Sequence, residues 1–417
     1  MARFLMGFIQ LVLRAPMTLF FLSFGLLIPK IRRRVLFELQ NLEDKKCDIK
    51  NFDPEVGFEV SSEGEFEQVR PLIEDLLKQK RKMQIIYSSE SLQRQINELS
   101  RFEEVRSLRL PLLTYNPWVK ALNPTRWLKA EKFFLVRYDF FPELFLYGMK
   151  SNVKFYLLWG TLKGKKKNFD FLRRQFFSQF NHIIAATEGD AHDFKQRLHL
   201  TQVSFYDFRI EAITRRLMAA EEKLELTLGD SQGLKELLEL FPHEKRVILG
   251  SYWDDEPIEI EELTAKGYLV VILPHNLKNE KREDKFYHFE SQKGSRFSDY
   301  LDPIFKLNRP IVLWEKGILC ELYPYFGHAY VGGGFRSSVH SLLEPFLSGC
   351  HVYFGPKVHR STEFDLAMEF DQSRMHQFDS LRDFPSRVML SSNSRTNKEK
   401  IGPSFSGRYK MVFDSLF

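Results

Sequence analysis

At 417 residues, with 43% hydrophobic side chains, the chain holds material for two ordinary domains and a short extra segment, each domain large enough to bury its own core. Its 61 Lys and Arg against 55 Asp and Glu leave a formal charge of +6, modest for this size and gathered in patches at Lys30–Arg34 and Lys163–Lys167, which suits anionic lipid and argues against a nucleic-acid groove. Three cysteines, Cys47, Cys320 and Cys350, form no CxxC pair and argue against a secreted disulfide framework; a reducing, cytosolic setting fits, and eleven histidines without HxxxH or HExxH spacing point to no bound metal.

The amino terminus is apolar in two pieces. FLMGFIQLVL from Phe4 meets Arg14, Ala15 and Pro16, and MTLFFLSFGLLIP follows before Lys30, Arg32, Arg33 and Arg34. Neither piece reaches the ~20 residues of a full span, and Arg14 is costly at a bilayer centre. A monotopic or re-entrant anchor over residues 1–45, basic flank included, is expected, with a single tilted span as the alternative. No small-x-small cleavage site follows the second piece, which opposes a signal peptide. The basic cluster places everything downstream on the cytoplasmic side.

Residues 50–215 alternate short β-rich runs with helical stretches. The strands expected are Val56–Val60, Met83–Ser89, Phe133–Phe140, Lys154–Gly160 and His182–Thr187. A charged helical stretch, Glu211–Glu239, broken near Leu228–Ser231, reads as the interdomain connection. A second series covers 225–385, with strands at Arg246–Gly250, Tyr268–Pro274, Ile311–Trp314, His328–Gly333 and His351–Pro356; Lys278–Ser298 reads as a solvated loop or helix, and 386–417 as a tail. Alternating βα units imply parallel sheets with helices on both faces, so the expected architecture is α/β, with two Rossmann-like domains facing a cleft and the anchoring segment in front.

In open parallel sheets ligands collect at the carboxyl ends of strands, which directs attention to three strand-to-helix junctions. After the first strand comes Ser61-Ser62-Glu63-Gly64-Glu65. Ser62-x-x-Glu65 is the spacing of a capping box; equally, a carboxylate at a helix amino terminus is held ionised, Gly64 admits a substrate to the backbone, and Glu65 is then poised to act as a base on a hydroxyl. The second junction is Tyr330-Val331-Gly332-Gly333-Gly334-Phe335, whose glycine amides either meet a phosphate or form a plain turn; a helix over Val339–Ser348 would put His340 and Glu344 on one face. The third is Gly250-Ser251-Tyr252-Trp253-Asp254-Asp255-Glu256 with Leu273-Pro274-His275-Asn276, where the two adjacent aspartates read better as helix caps than as a catalytic pair.

In this order the junctions resemble the 3-deoxy-D-manno-octulosonic acid (Kdo) transferase family, of the two-Rossmann glycosyltransferase architecture called GT-B. The family's AS-x-GE loop is similar to Ser61–Glu65, its GS-x-H-x-GE element to Gly250–Glu256, its GEL-x-x-x-Y element to Cys320–Tyr325, and its GGS…GHN-x-LEP…GP stretch to Gly332–Pro356. The resemblance implies transfer of Kdo from CMP-Kdo to a lipid A precursor in lipopolysaccharide assembly at the cytoplasmic face of the inner membrane, inverting and without metal or other cofactor. It makes Glu65 the general base, sets Ser62, Gly64 and Asp139 on the acceptor side, and assigns the donor to Gly250, Ser251, His275, Glu321, Gly332, Gly333, His340, Ser341 and Glu344.

The chain departs from the family where ETELWP is similar to Arg137–Pro142, where Trp159 stands for the asparagine of NARLS and His275 for the arginine of PRH. Ser341 replaces the asparagine of GHN, and the GNLK element is barely recognisable at Asp207–Arg209. These changes touch acceptor recognition and charge near the nucleotide. They leave two alternatives to Kdo transfer: a transferase with another nucleotide sugar or lipid acceptor, and a lipid- or partner-binding paralogue without transfer chemistry.

Overall fold

The computed structural model describes residues 20, 23, 27–136, 144, 153–162, 167–253, 256, 258–276, 285–301, 309–336, 338–359, 361–391 and 403–417. The chain divides into two compact units, Met1–Arg209 and Ile210–Phe417. Each is built on a parallel sheet. In the first unit β1 (Val56–Val60), β2 (Met83–Tyr87), β3 (Val105–Arg109), β4 (Lys132–Val136), β5 (Lys154–Gly160), β6 (His182–Ala185) and β7 (Val203–Phe205) lie in the order β3-β2-β1-β4-β5-β6-β7. In the second, β8 (Arg246–Tyr252), β9 (Leu269–Pro274), β10 (Tyr287–Phe289), β11 (Ile311–Leu313), β12 (His328–Val331), β13 (His351–Phe354) and β14 (Met375–Gln377) lie in the order β10-β11-β9-β8-β12-β13-β14.

Burial on both faces explains why the central strands read as continuous apolar runs. All five residues of β1 are buried, and Phe58, Phe134 and Tyr156 stack across β1, β4 and β5 with centroids 5.3 and 4.8 Å apart. Gly57 leaves room for Phe133, whose ring a Cβ there would meet at 2.3 Å. Buried Gln84 is satisfied: it donates to Trp127 O at 3.0 Å and accepts from Lys129 N at 2.8 Å.

Three expectations change. Lys278–Ser298 is not merely solvated: β10 lies inside it, paired with β11, while 277–284 fall outside the described residues. The stretch Glu211–Glu239 forms three helices, Phe208–Met218, Ala220–Leu228 and Ser231–Glu239, and its residues from Ile210 onward belong to the second unit. The basic cluster after Pro29 is partly consumed inside the first unit. Helix Pro29–Leu39 docks there because Arg33 pairs with Glu90 and Arg34 donates to Ser88 O and Leu110 O, while buried Glu38 accepts from the amides of Leu113 and Thr114 at 2.9 Å.

The apolar segment before Gly25 and the patch Lys163–Lys166 lie almost wholly outside the described residues. Among the described residues no helix is long and apolar enough to cross a membrane. The three cysteines are buried thiols.

Candidate active site

The order of the first sheet reverses beside β1, with β2 and β3 on one side and β4 onward on the other. Such a reversal opens a crevice at the strands' carboxyl ends. There the chain leaves Val60 and enters helix Glu63–Lys78, whose buried face of Phe66, Val69, Leu72, Ile73 and Leu76 follows helical spacing. Ser62 caps the helix, its hydroxyl accepting from Glu65 N at 3.3 Å. Glu65 reaches back to accept from Ser61 N at 2.8 Å, one residue earlier than a standard capping box, and is only 7% exposed. A buried carboxylate is therefore fixed at the end of β1, beside the reversal. Gly64 beside it has no structural reason to be glycine: a Cβ there meets nothing within 4 Å, and its φ is not left-handed. Asp139 and Arg137 lie outside the described residues.

Two departures from the family pattern meet in this unit. Trp159, at φ 56° beside the irregularity between Leu158 and Gly160, donates Nε1–H to Asp207 Oδ1 at 3.1 Å. Arg209 pairs with the same carboxylate, and all three side chains are buried. The replaced asparagine and the eroded GNLK element have thus become one internally satisfied group.

The second sheet reverses between β8 and β12. β8 ends in an irregularity, with Ser251 at φ 50°, and Gly332 packs so closely that a Cβ would fall 2.1 Å from Ser251 O. Gly250 likewise clears the Tyr323 hydroxyl. Two amides of the glycine run, those of Gly332 and Gly333, are used within the protein. Gly332 N donates to Gly250 O at 3.0 Å, and Gly333 N to the buried Glu256 carboxylate at 3.1 Å, which also accepts from Tyr330 OH at 2.9 Å. These glycines serve close packing and, at Gly333 with φ 90°, a turn.

The expected helix over Val339–Ser348 is shorter, Leu343–Leu347, so His340 and Glu344 do not share a helical face. Its first amides are taken: Glu363 accepts from Leu342 N, Leu343 N and Ser341 Oγ at 2.8, 3.1 and 2.9 Å. Glu344 meets Glu321 instead, through Arg216. Arg216 bonds Glu321 in a fork at 2.9 and 3.0 Å and Glu344 Oε1 at 3.0 Å. Burial pushes the Glu344 carboxyl up to about 7 against the pull of Arg216, with Glu363 and Glu321 adding repulsion. Burial acts against the Arg216 charge, but Glu321 and Glu344 hold its pKa above the ordinary value.

His275 and His340 come together in a stack. Trp253, after β8, lies 3.9 Å from His275, after β9, and His275 lies 4.5 Å from His340, after β12. The Arg336 guanidinium sits over the Trp253 ring at 4.0 Å. Burial lowers the pKa of His275, helped by the charges of Arg336 and Lys316, and burial with His275 lowers that of His340.

The structure therefore gathers Ser62, Gly64 and Glu65 at one strand end of the first unit. In the second it gathers Gly250, Ser251, Gly332 and Gly333 at one packing point, His275 with His340, and Glu321 with Glu344; Ser341 goes to Glu363. Sequence reasoning missed Arg216, Glu363, Trp253 and Arg336 as site residues and gave Glu256 no role. The last closes the Gly250–Glu256 element and was within reach; Arg216 is 128 positions from Glu344 and carries no local signal.

A family model described as 3-deoxy-D-manno-octulosonic-acid transferase (kdotransferase) matches residues 31–205. A 3-deoxy-D-manno-octulosonic acid transferase of Aquifex aeolicus is 24% identical over 336 residues, 80% of this chain and 85% of that protein. Among solved structures, a glycosyltransferase of Rickettsia africae superposes with a TM-score of 0.53 at 10% identity, covering 88% of this chain and 99% of that one. UDP-GlcNAc 2-epimerase of Neisseria meningitidis does so at 0.50 and 14%, covering 86% and 99%. These likenesses bear on the fold alone, two parallel-sheet α/β domains. With the Ser61–Glu65 and Gly332–Pro356 elements at the reversal points of those sheets, the chain is a glycosyltransferase that resembles the Kdo transferase family, most directly over residues 31–205.

Proposed function

We propose that this enzyme transfers Kdo from CMP-Kdo to a lipid A precursor in lipopolysaccharide assembly, with inversion and without a metal, on the cytoplasmic face of the inner membrane. The observation that carries the reading is Glu65: a buried carboxylate fixed at the β1 end of the sheet reversal, next to a glycine that the protein's own packing does not require. Glu65 takes the proton of the acceptor hydroxyl as its oxygen bonds to the anomeric carbon. The bond from that carbon to the donor phosphate breaks, and CMP leaves with the electron pair. Glu344 serves the ribose: Arg216 holds Oε1, and Oε2 is assigned to a ribose hydroxyl. Membrane attachment is supported by the apolar run before Lys30 and by Leu27, Ile28 and Leu36, all more than half exposed.

A second reading, the same chemistry with another nucleotide sugar, is favoured by the amides of Gly333, Leu342 and Leu343 being occupied by carboxylates and by histidine at 275. Thermal protection of the full chain by CMP and CMP-Kdo, compared with UDP and UDP-GlcNAc, separates the two. Protection by the cytidine pair alone supports Kdo transfer, and protection by the uridine pair alone replaces it with the second reading.

A further inference from the structure

Between helix Pro29–Leu39, the stretch after β2 and the end of β3 lies a cavity of about 690 Å³ in the first unit. Its walls mix two chemistries: Leu27, Leu36 and Phe37 give apolar surface, and Arg32, Arg33 and Arg109 give three cations against the Glu90 carboxylate. Two of these cations are engaged, Arg33 with Glu90, and buried Arg109 with Asp44 and Gln93 at 3.1 and 3.2 Å. The exposed Arg32 guanidinium has no hydrogen-bond or ion-pair partner among the described residues. The cavity thus keeps surplus positive charge beside an apolar wall, the complement of an anionic group on an apolar body.

Its position narrows the ligand. The helix comes directly after the two apolar pieces of the amino terminus, and Leu27 and Ile28 stay exposed at its start, so in the membrane-attached protein this end lies at the depth of lipid headgroups. On its other side the cavity adjoins the base. Gln93 lines it and opens helix Gln93–Leu99, from which Gln95 donates to Glu63 Oε1 at 3.0 Å, at the start of the helix that carries Glu65. β2, which leads into that wall, pairs with β1. Cavity and base therefore share the carboxyl edge of one sheet.

We propose that this cavity binds a phosphate of the acceptor lipid, with Arg32 donating to it and Arg33 and Arg109, fixed by their partners, as the charged wall behind. The inference rests on the acceptor reading above and adds the group that turns the lipid so that a hydroxyl meets Glu65. A guanidinium suits the task because its paired N–H groups match two phosphate oxygens.

The test is equilibrium binding of the full chain, in non-ionic detergent, to lipid IVA and to the same lipid stripped of its phosphates, for wild type, Arg32→Gln and the control Arg94→Gln, an exposed charge on the adjacent helix that does not line the cavity. Wild type should bind lipid IVA about 10- to 100-fold more tightly than the stripped lipid, the equivalent of one charged hydrogen bond. Arg32→Gln should lose most of that ratio with affinity for the stripped lipid and melting temperature unchanged, and Arg94→Gln should keep it. An unchanged ratio in Arg32→Gln, an equal loss in Arg94→Gln, or equal binding of the two lipids by wild type overturns the cavity assignment while the acceptor reading stands. Displacement of lipid IVA by excess phosphatidylglycerol in the micelles hands the cavity to bulk anionic lipid and overturns it as well. If wild type binds neither lipid, the acceptor reading falls and takes this inference with it.

Discussion

Replacing Glu65 by glutamine separates a base from a cap. The helix cap proper is the Ser62 hydroxyl, which the substitution leaves in place; Glu65 contributes the bond from Ser61 N at 2.8 Å. A glutamine oxygen can still accept from that amide, so a charge-assisted bond becomes a neutral one, a loss of about 1 kcal/mol. In a unit of this size that is ~2–4 °C of melting temperature. Glu65→Ala removes the acceptor altogether and should cost about 1–3 kcal/mol. For transfer the two substitutions are equivalent, because neither side chain can take up the acceptor's proton, and each should lose ~10²–10⁴ in turnover. Initial rates, nucleotide titration and thermal unfolding on the same preparations give the comparison. A base predicts equal losses of turnover, unequal losses of stability and unchanged donor affinity. Full transfer by Glu65→Gln, with Glu65→Ala impaired only in stability, refutes the assignment and leaves a cap.

Gly64→Ala should stabilise the fold by about 0.4–1 kcal/mol, since the new methyl meets no atom within 4 Å and alanine suits a helix better, while raising the acceptor KM; unchanged acceptor kinetics would remove the substrate-approach role of this glycine. Glu344, with its pKa pushed up to about 7, is a carboxylate above that value and a neutral acid below it. Donor affinity should therefore fall as pH drops from 8 to 6 in the wild type and be flat and weak in Glu344→Gln; an equal slope in both places the titration elsewhere. His328 accepts no such change easily: buried between Tyr353 OH and Glu244 O, its pKa is lowered to about 3, by burial first and His351 second. Protons then bind the unfolded chain first, so stability holds above pH 6.5 and falls as pH drops toward 3. Between pH 6.5 and 5 this one group accounts for up to ~2 kcal/mol. His328→Gln should flatten that limb of an unfolding-versus-pH series, and an unaltered limb would contradict the assignment.

The sequence reading located the interior strands and overlooked the edges. β1, β2, β4, β5 and β6, and β8, β9, β11, β12 and β13, were all legible; the strands absent from that reading, β3, β7, β10 and β14, are the outer strands of the two sheets. An interior strand is covered on both faces and reads as an apolar run, whereas an edge is short and can carry polar residues, as Val-Arg-Ser-Leu-Arg in β3 does. The Ser62 cap followed from the Ser62-x-x-Glu65 spacing, whereas the burial of Glu65 did not. The donor side was harder because its partners are distant in the chain: Glu363 reaches back 20 to 22 residues, and Arg216 forward 105 and 128. The glycine run, which the sequence left open between a phosphate loop and a plain turn, has Gly332 at the close approach of β8 and β12, a contact that no local pattern reveals.

Incubating the full chain with CMP-Kdo and lipid IVA, and weighing the lipid product, tests the central claim most directly. Transfer predicts that lipid IVA gains the mass of one or more Kdo residues while an equal amount of CMP is released, and that both are lost in Glu65→Gln. A lipid of unchanged mass from wild-type protein that binds both substrates would contradict it.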